Sequence, residues 1–191
     1  MTVAAPTALA PQLARIKQEL LDARERARRV AAGLTDEQWG RRPSPGSWSV
    51  AECLVHLNLT SERSIPIIDE AIATGRERNI EGTGPFRRGL LGWALIRYLE
   101  PPYRMKVVKT SEPFVPKRVE PMGETLERFD YLQLELQGRV DRSAGLDLNR
   151  LTVTSPFAEQ VRYNLYVFFA ALSAHQRRHL WQAEQVRAMI A

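Results

Sequence analysis

Apolar residues recur along most of this chain at spacings of three and four, the rhythm of helices that each turn one face toward a core. The first such run is Leu9, Leu13, Ile16, Leu20, Ala23, Ala27, Val30 and Leu34. It predicts a helix from about Thr7 to Gly33, with Arg24, Arg26, Arg28 and Arg29 on the opposite faces. Gly33 is placed to cap its end, and Thr35-Asp-Glu begins a short capped turn that carries Trp39. After the loop Arg42-Pro-Ser-Pro-Gly, either Ser47 or Ser49 caps a second helix, over about Val50 to Thr74. Glu52 stands three residues after Ser49, as a capping box requires. This helix is apolar around most of its circumference, and Pro66 must kink or divide it.

Gly75 to Pro85 reads as a polar loop, and Phe86 to Glu100 as an extra helix closed by Pro101-Pro102. Met105 to Pro121, with four Val and three Pro, reads as an extended excursion. A third helix is expected from about Met122 to Ser143, with Met122, Leu126, Phe129, Leu136 and Val140 inward. Ala144 to Ser155 is a connection, after which Pro156 opens the last helix at a position where proline is tolerated. The stripe of that helix runs Phe157, Val161, Leu165, Phe168, Leu172 and continues into His175, His179, Gln182 and Val186. The expected fold is all-α: a four-helix bundle with a long crossover that contains the extra helix, in a single domain over residues 1–191.

Two imidazoles therefore stand where the pattern asks for Leu or Phe. At i and i+4 they share one face of a helix, close enough to bind one ion or ligand, and burying them without a partner would cost free energy. The only other histidine is His56, on the second helix. It follows Ser49, Cys53 and Thr60 rather than the main apolar stripe, so periodicity alone does not aim it at the pair. Zinc accepts Cys beside His, which makes Cys53 a further candidate, although a lone Cys in an apolar helix is more often a small core residue. A zinc-protease helix would need Glu between the two histidines; position 176 is Gln, which cannot take a proton. Arg177 and Arg178 point off the histidine face and read as surface, with one of them available to an acidic substrate.

Composition narrows the field further. The chain has 191 residues, 44% hydrophobic and 26% charged, which is ordinary for one globular domain. The net charge of +5 is carried by arginines scattered among acids. No aromatic-interleaved basic patch or helix-turn-helix pattern points to nucleic acid. One cysteine excludes an intrachain disulfide framework and fits a reducing compartment. The longest apolar run, Leu165 to Leu172, is far short of the roughly 20 residues a membrane span needs. Met1 to Ala10 lacks the charged start of a signal peptide. A cytoplasmic protein with neither membrane nor nucleic-acid partner is expected.

The segment Trp48-Ser-Val-Ala-Glu-Cys-Leu-Val-His56-Leu, followed far downstream by His175-x3-His179-Leu-Trp-Gln, resembles the DinB/YfiT-like superfamily of metal-dependent enzymes. The similarity runs through essentially the whole chain. It implies a four-helix bundle whose divalent metal, nickel or zinc, is held by His56, His175 and His179, with His56 facing the site despite its weak periodicity. It also implies a small-molecule substrate and a homodimer. The activity implied is a thiol-dependent S-transfer or isomerisation that uses a low-molecular-weight thiol such as bacillithiol, mycothiol or glutathione. A metal-dependent hydrolase and a non-enzymatic stress-response binding module are the alternatives. Three imidazoles leave coordination positions open, which is the catalytic arrangement. Glu52, one turn from His56, and Gln182, one turn past His179, are the candidates to orient the ligands from behind.

Overall fold

The structure, a computed structural model, describes residues 8–102, 110 and 112–190. Its helices are α1 (Pro11–Ala31), α2 (Asp36–Gly40), α3 (Val50–Glu77), α4 (Gly89–Leu99), α5 (Met122–Arg142) and α6 (Leu165–Ile190). A hairpin of β1 (Thr152–Ser155) and β2 (Ala158–Asn164) stands immediately before α6. The four long helices form the expected bundle. α5 and α6 each pack against both α1 and α3, so α1 and α3 occupy opposite corners. No helix among the described residues is long and apolar enough to cross a membrane.

Local chemistry sets the helix boundaries. Pro11 occupies the first turn of α1, where its missing N–H costs nothing, so the helix begins there rather than near Thr7, which lies outside the described residues. Ser49 caps α3 as the sequence predicts: its hydroxyl accepts from the Glu52 amide at 3.1 Å, and Glu52 accepts from the Ser49 amide at 2.8 Å. Pro66 neither ends nor divides α3, which continues to Glu77. Ahead of it the hydroxyls of Thr60, Ser61 and Ser64 each bond the carbonyl four residues back. The extra helix begins at Gly89 instead of Phe86, because Gln12 holds the Phe86 backbone outside it through paired hydrogen bonds of 2.9 and 2.6 Å.

The expectation that Pro156 opens the last helix is wrong. Thr152, Val153 and Thr154 pair antiparallel with Asn164, Tyr163 and Arg162, and Pro156-Phe157 turns the hairpin. β-Branched and aromatic residues at alternate positions favour this strand pair. α6 starts only at Leu165, where the Asn164 side chain accepts from the Val167 amide at 2.8 Å and so caps it. Phe157 and Val161 therefore belong to the hairpin and not to the helical stripe. Residues 105–109 and 111 of the segment Met105 to Pro121 lie outside the described residues; in the rest, Glu112–Phe114 forms a short 3-10 turn where extended chain was expected.

The apolar core is in two parts. One gathers around Leu13, Leu20, Ile68, Leu136 and Phe169, the other around Ala27, Trp39, Leu54, Phe129 and Ala183. On α6 the break between them falls at residues 175–179, where His175, Gln176 and His179 are buried instead.

Candidate metal centre

His56 is carried by the second turn of α3, and the cap at Ser49 fixes where that turn begins. His175 and His179 stand one turn apart on α6. Because α3 packs directly against α6, the three rings meet. Their centroids are 5.0 Å (His56 to His175), 4.4 Å (His56 to His179) and 4.6 Å (His175 to His179) apart. One ring nitrogen from each lies within 4.8 Å of the others. The rings are only 1%, 8% and 7% exposed.

Two of the three tautomers are set by hydrogen bonds. His56 Nδ1 donates to the Phe114 carbonyl at 2.7 Å, which leaves Nε2 with its lone pair facing the cluster. His179 Nδ1 donates to Gln182 Oε1 at 3.0 Å, with the same result. His56 Nε2 lies 3.2 Å from His175 Nε2, while His175 Nδ1 is buried without a protein partner. Burial lowers the His56 pKa to about 4, against a smaller opposing effect of the Phe114 carbonyl. Burial, followed by the neighbouring imidazoles and Arg178, holds His175 and His179 well below the ordinary value. All three are neutral at pH 7 and present lone pairs, which is the state a metal ligand requires.

The donor set fits a borderline divalent ion. Two nitrogens bound tetrahedrally to zinc at about 2.0–2.1 Å would stand roughly 3.3 Å apart, close to the spacing of the His56 and His175 nitrogens. Three imidazoles without a carboxylate suit zinc or nickel and not magnesium or calcium. An aromatic collar shields the cluster. Trp48 lies 4.9 Å from His56 and 5.7 Å from His179, and Phe157 lies 5.5 Å from His175 and 4.4 Å from Phe114. Trp48 thus packs on the histidines as well as against the second part of the apolar core.

A cavity of about 320 Å³ opens beside the histidines. α4, the hairpin and α6 wall it with Leu95, Leu99, Val161, Phe168 and Leu172. Arg178 also lines it, contrary to the expectation of a surface residue, and is only 4% exposed. Its guanidinium donates to the Tyr98 carbonyl at 2.9 Å and lies over the Tyr98 ring. Arg177 does point elsewhere, pairing with Glu19 and Glu100.

Of the two residues expected behind the ligands, Gln182 contacts His179 directly. Glu52 does not contact a histidine. Its oxygens take the Ser49 amide and the Arg42 guanidinium, and although burial pushes its carboxyl up, these hydrogen bonds leave it below the ordinary value. Cys53 is fully buried in the core, burial pushes its thiol up, and it is not part of the histidine group. The Phe114 carbonyl was not foreseen, because a backbone acceptor more than fifty residues from His56 leaves no mark in the sequence pattern.

The fold and site define a helical-bundle protein with a buried three-histidine cluster suited to a divalent metal. The family model of the DinB superfamily matches residues 19–183, and the chain belongs to that superfamily. No curated protein and no solved structure matches it significantly.

Proposed function

We propose that His56, His175 and His179 hold one nickel or zinc ion, and that the protein is a metal-dependent S-transferase of the bacillithiol type, acting on a small electrophile. The observation that carries this reading is the convergence of three neutral, buried imidazoles on the end of an apolar cavity. When bound, the ion would supply Lewis acidity that favours the deprotonated form of a thiol or water delivered to it. The chain does the rest. The Phe114 carbonyl and Gln182 keep the Nε2 lone pairs of His56 and His179 directed inward. Trp48 and Phe157 limit water around the rings, and the cavity holds the electrophile beside them.

Thiol transfer is favoured over hydrolysis by the residues of the wall. No carboxylate is among the described residues lining the cavity, so none stands ready as a general base for water. A thiol ionises near pH 8.5 and needs a far smaller push than water. The proposal includes a cytoplasmic homodimer, and the apolar residues Leu90, Leu91 and Trp93, exposed on α4, are a candidate contact.

The test is a panel of bacillithiol, mycothiol and glutathione with a chromogenic electrophile, comparing metal-loaded and chelator-stripped protein. Metal-dependent conjugation that is lost in His175→Ala is expected. Ester hydrolysis without any thiol would favour the hydrolase instead. Neither activity in protein that holds metal would leave a binding module.

A further inference from the structure

A polar layer parts the two halves of the apolar core. On α5, Gln133 stands between Phe129 in one half and Leu136 in the other. On α6, Gln176 stands between Leu180 and Leu172, in the same two halves. Ser61 holds the matching place on α3, between Leu57 and Ile68. All three side chains are buried. The layer therefore crosses the middle of the bundle, and His175, which immediately precedes Gln176, puts it beside the histidines. The amides in it lack protein partners. Both side-chain atoms of Gln133 and of Gln176 are buried and unbonded, as are Gln137 Nε2, one turn after Gln133, and Ser173 Oγ, one turn before Gln176. Ser61 donates to the Leu57 carbonyl at 2.9 Å, which leaves its oxygen able to accept. A buried polar atom without a partner costs more than an ordinary hydrogen bond gains. Left dry, this set would cost on the order of the whole net stability of a domain. None of these side chains is ionisable, so a small neutral molecule that both donates and accepts matches them, and water is such a molecule.

We infer that Gln133, Gln137, Ser173 and Gln176 form an internal water site in the middle of the bundle. At about three hydrogen bonds per buried water, about two waters satisfy the unbonded atoms. The waters link α5 to α6, which pack mainly on α1 and α3 rather than on each other. They fix the level at which these helices meet, on the axial side of the histidines. The site depends neither on bound metal nor on an activity, so it stands or falls apart from the proposed function.

The experiment uses the full chain, stripped of metal by chelator. Magnetic cross-relaxation between water and the side-chain amide protons of Gln133 and Gln176 is read by NMR. Cross-peaks with the sign of water held longer than the tumbling time of the protein are expected at both amides. Oxygen-17 relaxation dispersion should then count about two fewer long-lived waters in the Gln133→Leu/Gln176→Leu double variant than in wild type. Each single variant should lower the urea midpoint, because the amide left behind keeps its need with fewer partners. The double variant should lose less than the sum of the two, since the waters and both amides leave together. Should the double variant not fold, the cross-peaks of the native chain decide alone. Absent water cross-peaks, with Gln133 and Gln176 bonded directly to each other, would overturn the site. An unchanged water count in a folded double variant would do the same, and strictly additive midpoints would show that the two glutamines share no water.

Discussion

His175 occupies a position in α6 that the apolar pattern assigns to leucine, so His175→Leu separates what the residue does for folding from what it does for the site. In metal-free protein the wild-type side chain is 8% exposed, with Nδ1 buried and without a protein partner. Such a group costs about 1–3 kcal/mol. Against this stands its Nε2 contact with His56 at 3.2 Å, a hydrogen bond worth about 0.5–1.5 kcal/mol net. Leucine, of similar volume, removes both but leaves the buried His56 Nε2 without that partner, at a similar cost of about 1–3 kcal/mol. The balance leaves the two metal-free proteins within about 1 kcal/mol of each other, a difference in Tm of no more than about 2–4 °C. Loading separates them. An ion at a thousand times its Kd stabilises the native protein by about 4 kcal/mol, so metal-loaded wild type should exceed the variant by about that amount. Urea melts with chelator and with excess zinc measure both differences. The difference also varies with pH. Neutral buried His175 has a folded pKa far below that of the unfolded chain, so wild type loses stability as pH falls below 6.5, and the balance shifts toward leucine there. A metal-free variant several kcal/mol less stable than wild type would refute the argument and make His175 a structural residue.

Three further outcomes are expected. Metal-free wild type should lose stability between pH 6.5 and 4, because the unfolded chain takes up protons there that the buried imidazoles refuse; His56 alone contributes about 3 kcal/mol, and a flat urea midpoint over that range would contradict it. Gln182→Leu frees the His179 Nδ1 proton from its acceptor and should lower zinc affinity by about 10- to 100-fold in a competitive chelator titration, whereas an unchanged affinity would remove Gln182 from the site. Gly92→Ala should destabilise the protein by about 1–3 kcal/mol despite the better helix propensity of alanine, because an added Cβ would meet Val167 Cγ2 at 2.6 Å where α4 packs on α6. A neutral result in thermal melts would mean that α4 is not seated there.

The parts of this molecule that follow from local rules were legible in the sequence. The Ser49–Glu52 box predicted the start of α3, and the three-and-four spacing placed His175 and His179 on one buried face. The approach of His56 was not readable from its own helix. Ser49, Cys53 and Thr60, which share its side, are as buried as the apolar stripe, so α3 is enclosed around most of its circumference and no single face marks the interior. Family resemblance supplied that contact, and the geometry agrees with it. The hairpin was missed because Phe157 and Val161 fit a helical spacing as well as a strand alternation. Arg178 was misread for a tertiary reason. α4 folds over the side of α6 that a bare bundle would leave in water, and the Arg178 pattern carries no trace of that cover.

Metal content tests the central claim most directly. Protein purified without an affinity tag or chelator should contain about one equivalent of nickel or zinc by elemental analysis, as expected for one set of three imidazole ligands. His56→Ala, His175→Ala and His179→Ala should each lose it. Retention in His56→Ala alone would show that α3 does not contribute a ligand. Wild type that takes up neither metal on reconstitution would contradict the three-histidine site altogether.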